Sequence, residues 1–151
     1  MTRDEIIEWI ARQKAIEPVV EHMPPARPEV IEAAEKSVGP LPEPLKDLLS
    51  VSNGLRCDRI RLFSAFDEER PKKTWDSIQR FNDPAVTDAL GGSTELLARF
   101  LVFADVGNCF LLWDRSDGSI WYEEAGANEI ALTTFGFFEV LAAAFADYHR
   151  S

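Results

Sequence analysis

The sequence predicts an α+β domain: an antiparallel sheet of about four to six strands with helices packed on it. Three observations carry this. The first half holds amphipathic helical segments bounded by proline and glycine. Residues 100–132 form short apolar runs separated by turn residues, the pattern of a meander. The last segment has an apolar stripe wide enough for a helix that lies against such a sheet. The chain has 151 residues, so a single domain spanning 1–151 is expected.

Thr2 and Glu5 form a capping box, a threonine cap with a glutamate three residues on. Ile6, Ile7, Trp9 and Ile10 supply an apolar face behind it, so a helix is expected from Thr2 to about Lys14, with Trp9 as a packing residue. Residues 17–27 carry Pro18, Pro24 and Pro25 and read as a connector pinned by Val19, Val20 and Met23.

Two helices follow, each opened by a proline at its first position and closed by a glycine. Pro28 and Gly39 bound the first; Pro42 and Gly54 bound the second. Val30, Ile31, Ala34 and Val38 give the first an apolar face, as Leu41, Leu45, Leu48 and Leu49 do the second. Residues 59–63 alternate charged and apolar, a half-buried strand with Arg59 and Arg61 outward. Residues 67–73 read as an exposed loop. Thr74 caps an expected short helix to Phe81, with Trp75, Ile78 and Phe81 on one side; Asp83-Pro84 opens another that ends at Gly91-Gly92. Ser93 or Thr94 caps a further turn.

The meander has expected strands at 100–104, 109–114, 119–124 and 129–132. Asp117-Gly118 is the strongest turn signal between them. Trp113 and Trp121 flank that turn at similar offsets and are expected as cross-strand neighbours. Thr133 or Thr134 caps the last helix, with Phe135, Phe138, Leu141, Ala142 and Phe145 on its core face.

Glu35, Gly39, Leu41, Pro42, Leu45, Leu48, Leu49, Asn53 and Gly54 stand in an order that resembles the SUKH superfamily, the Knr/Smi-like domain named after yeast cell-wall assembly regulators. The resemblance spans residues 28–148 and leaves 1–27 as an N-terminal helix and connector. It implies the same α+β fold. It also implies a protein-binding role, since bacterial members of that family commonly act as immunity proteins that neutralise cognate toxins, many of them nucleases. The motif residues themselves read as fold-specifying.

Composition points the same way. Lys and Arg number 16 against 26 Asp and Glu, a net charge of −10. That balance disfavours nucleic acid and anionic membranes and favours a basic protein partner, or simply solubility. No apolar run approaches the roughly 20 residues of a membrane span, and MTRDEIIEW has no signal-peptide core, so a cytoplasmic protein is expected. Cys57 and Cys109 have no metal-like spacing and are expected as reduced thiols.

Catalytic signals are weak. His22 sits in the connector and His149 beside the C-terminus, neither a rigid site for a base. Glu123 and Glu124 are adjacent in a strand and point to opposite faces. Asp114 to Gly118 lacks the ligand alternation of a calcium loop and reads as a turn. A non-enzymatic module without cofactor or metal is expected. Its partner-binding candidates are Asp105, Asp114, Asp117, Trp121, Glu123 and Glu124, an acidic and aromatic surface for a basic toxin domain. Two alternatives stand beside it: a regulatory scaffold like the yeast proteins, or a binder of a small anionic ligand in a groove formed by Trp75, Arg56, Arg59 and Arg61.

Overall fold

The computed structural model describes residues 1–16, 20–57, 59–89, 94–107, 109–124 and 129–150. The expected turns at Asn108 and Gly126–Asn128, the glycine stop at Gly91-Gly92, the Ser93 cap, and Pro18 and Val19 of the connector lie outside them.

Helix α1 (Arg3–Ile16) begins as the capping box requires. The Thr2 amide donates to Glu5 Oε2 at 2.7 Å and the Glu5 amide to Thr2 Oγ1 at 3.2 Å. Strand β1 (Glu21–His22) then lies inside the stretch expected to be connector. Two residues are too few to show a period, so the pairing is set by what β1 meets. It leads into a segment stitched to the end of the following helical pair. Met23 N donates to Ser52 Oγ, Asn53 N to Pro24 O, and Ala26 N to Leu49 O.

Helix α2 (Pro28–Val38) stops at Gly39, whose φ is +91°. Helix α3 (Glu43–Leu49) starts one residue later than expected, with Pro42 as its cap residue, and closes at Ser50 rather than Gly54. The reason is local: Val51 and Ser52 amides both return to Leu48 O, so the chain turns out early. Gly54 has the positive φ expected of it, +99°, for a different purpose. A Cβ there would stand 2.5 Å from Ser64 Oγ and 2.9 Å from Leu62 O. The neighbouring Asn53 spans the same junction, donating from Nδ2 to Ala65 O at 2.9 Å and accepting from Ala65 N at 2.8 Å. Glu35 joins α2 to α3 by accepting the Leu41 amide at 3.0 Å. These motif residues therefore hold the helical pair onto the sheet.

Strands β2 (Leu55–Cys57) and β3 (Ile60–Leu62) form a short antiparallel pair. The expected helix from Thr74 is shorter: α4 covers Ile78–Phe81, and its cap is Ser77, whose hydroxyl accepts the Arg80 amide. Thr74 instead closes the preceding loop, accepting from Asp67 N and donating to Arg70 O. Asp83 caps α5 (Pro84–Ala89) through the Ala85 amide, and a 3₁₀ turn follows at Thr94–Ala98.

The meander is present and longer than expected at its start. It comprises β4 (Phe100–Val106), β5 (Cys109–Asp114), β6 (Ile120–Glu124) and β7 (Ile130–Leu132). A bulge between Val102 and Ala104 inserts Phe103, whose ring meets Phe137 at 5.3 Å. Among the described residues, seven antiparallel strands lie in sequence order from β1 to β7. The excess over the expected number comes from β1 and β2, of two and three residues.

Helix α6 (Phe137–Arg150) starts three residues past Thr134. Thr133 lies four residues before it and still belongs to the sheet, where its amide donates to Ile120 O. Phe135, expected on the core face of this helix, is therefore outside it and 47% exposed. Phe137, Leu141 and Phe145 are buried, and Phe138 meets Trp9 edge-on at 5.3 Å, which docks α6 on α1. No described helix is long and apolar enough to cross a membrane.

Cross-strand rows show how the sheet divides its faces. One row is His22, Leu55, Leu62, Ala104, Leu111, Tyr122 and Ala131. The next is Glu21, Arg56, Arg61, Asp105, Phe110, Glu123 and Ile130, on the opposite face. Most charge in the sheet thus falls on one face. Cys57 and Cys109 share a third row with Ile60 and Val106 between them. Three strand spacings put them about 14 Å apart, beyond disulfide reach, and neither forms one.

Candidate functional site

The six candidate residues occupy three different settings. Asp105 stands opposite Arg61 across β3 and β4 and accepts its Nε at 3.1 Å through either oxygen; Nη2 also contacts Oδ2. Arg61 reaches Asp76 as well, at 3.0 Å. Asp105 is thus neutralised within the sheet and only 13% exposed.

Asp114 is more deeply committed, with its side chain 1% exposed. It ends β5 and folds the turn back on itself. Oδ1 accepts from Ser116 Oγ at 2.6 Å and from the Ser116 amide at 2.8 Å, and Oδ2 from Arg99 Nε at 3.0 Å. The Ser116 hydroxyl and amide, then Arg99, hold its carboxyl below the usual carboxylate range against the opposing effect of burial. Glu123 is buried as well and lies in the charged row beside Phe110. It borders a narrow apolar cleft under α5 and the 3₁₀ turn, lined by Phe81, Leu96, Leu97, Phe100 and Phe110.

Asp117, Trp121 and Glu124 face outward to different degrees. Asp117 is exposed in the β5–β6 turn, where Oδ1 accepts the Ser119 amide and hydroxyl. The turn is therefore built as expected, with Gly118 at φ +76°. Trp121 is half-buried; its Nε1 donates to Ser119 Oγ at 2.8 Å. Arg99 lies over the rings of both Phe100 (4.6 Å) and Trp121 (5.1 Å), and so links Trp121 to Asp114. Trp113 is not Trp121's partner. Trp113 pairs with Ile120 and Trp121 with Leu112, a one-residue offset that sends the two indoles to opposite faces. Glu124 is exposed, and Glu123 and Glu124 divide between the faces as alternation requires. Glu124 stands across from Cys109, whose thiol is pushed up chiefly by burial and then by that charge.

The structure adds residues that sequence reasoning did not place. Six large apolar side chains are exposed among the described residues, and Tyr122, Leu132 and Phe135 are three of them, at 40%, 56% and 47%. All three belong to the β6–β7 edge or to the segment leaving it. Exposed Glu124 and Glu129 flank one end of this edge, and Asp117 lies at the other end of β6. Alternation identifies these strands, but only the strand order shows that β7 is an edge.

The Arg and Trp groove of the anionic-ligand alternative is assembled in part. Arg56, Arg61 and Arg80 converge on Asp76 at 3.9, 3.0 and 3.6 Å. Trp75 is 59% exposed with Arg80 over its ring at 5.0 Å, and Arg59 is exposed. Among the described residues no three His, Cys, Asp or Glu side chains gather as a metal site would require. No protein-family model matches this chain, and no curated protein matches it.

Proposed function

We propose that this chain is a non-enzymatic protein-binding module that takes a basic partner along its β6–β7 edge. The observation that carries the proposal is the exposure of large apolar side chains on both faces of this edge, Tyr122 on one and Leu132 on the other, with Phe135 in the segment leaving β7 and Asp117, Glu124 and Glu129 exposed at its ends. Exposed apolar side chains rimmed by charge are the usual composition of a docking surface. An edge strand also offers main-chain groups to a partner. The acids steer a basic protein in, and the apolar groups hold it.

Following the SUKH resemblance, the role is that of an immunity protein, and the partner is a basic toxin domain, a nuclease among the candidates. Asp105 and Asp114 are spent on Arg61 and Arg99, and Glu123 is buried. The acidic surface is accordingly assigned to Asp117, Glu124 and Glu129. The test is co-expression with the basic C-terminal domain of the protein encoded immediately upstream. Cells that survive only with this chain present support immunity. Equal killing with and without it, or an upstream gene with no such domain, contradicts it.

A further inference from the structure

The opposite edge of the sheet has the reverse chemistry. One cleft lies between Ile7 and Ile10 of α1 and Pro24, Pro25 and Val51 of the body. A second runs along β1 past Arg56 and Lys73. They enclose about 610 and 440 Å³ and share Lys14, His22 and Met23, so they form one groove.

Its charge departs from that of the chain. The whole sequence has 26 acids to 16 Lys and Arg. The groove's described walls carry the cations Arg3, Lys14, Arg56 and Lys73 against the acid Glu21, with His22 as a polar neighbour. Arg56 faces Glu21 at 3.6 Å and Asp76 at 3.9 Å, so these charges offset one another and the groove's net positive charge comes from Arg3, Lys14 and Lys73. Lys14 Nζ donates to His22 Nδ1, so the other ring nitrogen carries the proton and is a further donor. One end of the groove is apolar, with Ile7 45% exposed there. Among the described residues β1 has a strand on one side only, and Glu21 and His22 of β1 line the groove.

We infer that this groove is a second docking surface, for an extended acidic peptide segment of a partner protein with an apolar anchor. The acids meet Lys14 and Lys73, the anchor lies between Ile7 and Val51, and the peptide backbone follows β1 as an added strand does. The occupant is specified by charge complementarity: a cationic groove on an anionic protein selects against basic segments and for acidic ones. The groove is separate from the β6–β7 edge, so one module can hold two partners, or two parts of one.

The test uses the full chain and a short fluorescein-labelled peptide repeating Glu-Glu-Leu, read by anisotropy. Saturable, salt-sensitive binding is expected. It should weaken about tenfold or more with Lys14→Glu plus Lys73→Glu, and likewise with Ile7→Asp. Leu132→Asp should leave it unchanged. All these positions are at the surface, and an unshifted melting midpoint checks that each variant is folded. Absence of saturable binding overturns the inference, as does equal binding of a Lys-Lys-Leu peptide. An all-Glu peptide binding as well as Glu-Glu-Leu also overturns it, because the apolar end would then be idle.

Discussion

Single residues at the junction between α3 and the sheet carry more of the fold than their size suggests. Gly54 combines a φ of +99° with a backbone carbonyl 2.9 Å from where a Cβ would sit. Gly54→Ala should therefore cost about 3 kcal/mol, combining backbone strain with a clash against backbone that cannot step aside. Urea denaturation measures it. Asn53→Ala leaves the Ala65 amide and carbonyl without their partners and should cost about 2 to 3 kcal/mol in the same assay. Asp114 makes stability depend on acid. Its carboxyl is held below its ordinary value, so its contribution is complete above about pH 4 and fades as pH falls through the lower folded value. Asp114→Asn should be less stable than the parent near neutrality. The gap should close in acid, as urea midpoints at about pH 6 and about pH 3 would show. A gap that stays constant between those conditions would mean that Asp114 acts through packing alone. The sequence shows Asp114 as one acid among many. Its engagement depends on Arg99, fifteen positions away, and on the turn that brings Ser116 back to it.

Elements were legible where local chemistry and tertiary packing agree. The capping box of α1, the Pro28–Gly39 limits of α2 and the Asp117-Gly118 turn each have their determinants within a few residues. Where tertiary contacts compete, the reading fails. Thr133 has the chemistry of a helix cap, but pairing with Ile120 O keeps the chain in the sheet at that residue, and α6 starts at Phe137 with Phe135 left outside. Hairpin register is a second case. Symmetric offsets about a turn do not fix which residues pair, and a shift of one moved Trp113 and Trp121 to opposite faces. Strand β1 is too short to carry any period. The packing of α1 on α6 gives a prediction at this scale. Trp9 is 5% exposed and meets Phe138, so Trp9→Ala should lower stability by about 3 to 5 kcal/mol, while Ile7→Asp, at the 45% exposed groove wall, should cost about 1 kcal/mol or less. Thermal melting of the two variants compares them directly, and equal losses would show that α1 is not docked through Trp9.

At the scale of the whole molecule the described residues form a row of seven strands whose two edges differ in charge and in exposed apolar groups. The β7 edge joins Tyr122, Leu132 and Phe135 to exposed acids; the β1 edge joins Ile7 to Lys14, Arg56 and Lys73. Net charge gave the sign of an expected partner but not its place, because Asp105 and Asp114 are consumed by internal arginines and Glu123 is buried. Docking at the β7 edge predicts that Leu132→Asp weakens a basic partner by about tenfold or more, mostly through faster dissociation. It also predicts that Glu124→Lys with Glu129→Lys slows association and flattens its salt dependence. Surface plasmon resonance separates these two effects.

The most direct test of the central claim is amide hydrogen exchange with and without a basic protein domain that this chain protects cells against. The account predicts new protection at 120–124 and 129–135, with little change along 20–23 and α1. Protection confined to the β1 side, or spread over neither edge, would contradict docking of the basic partner at β7.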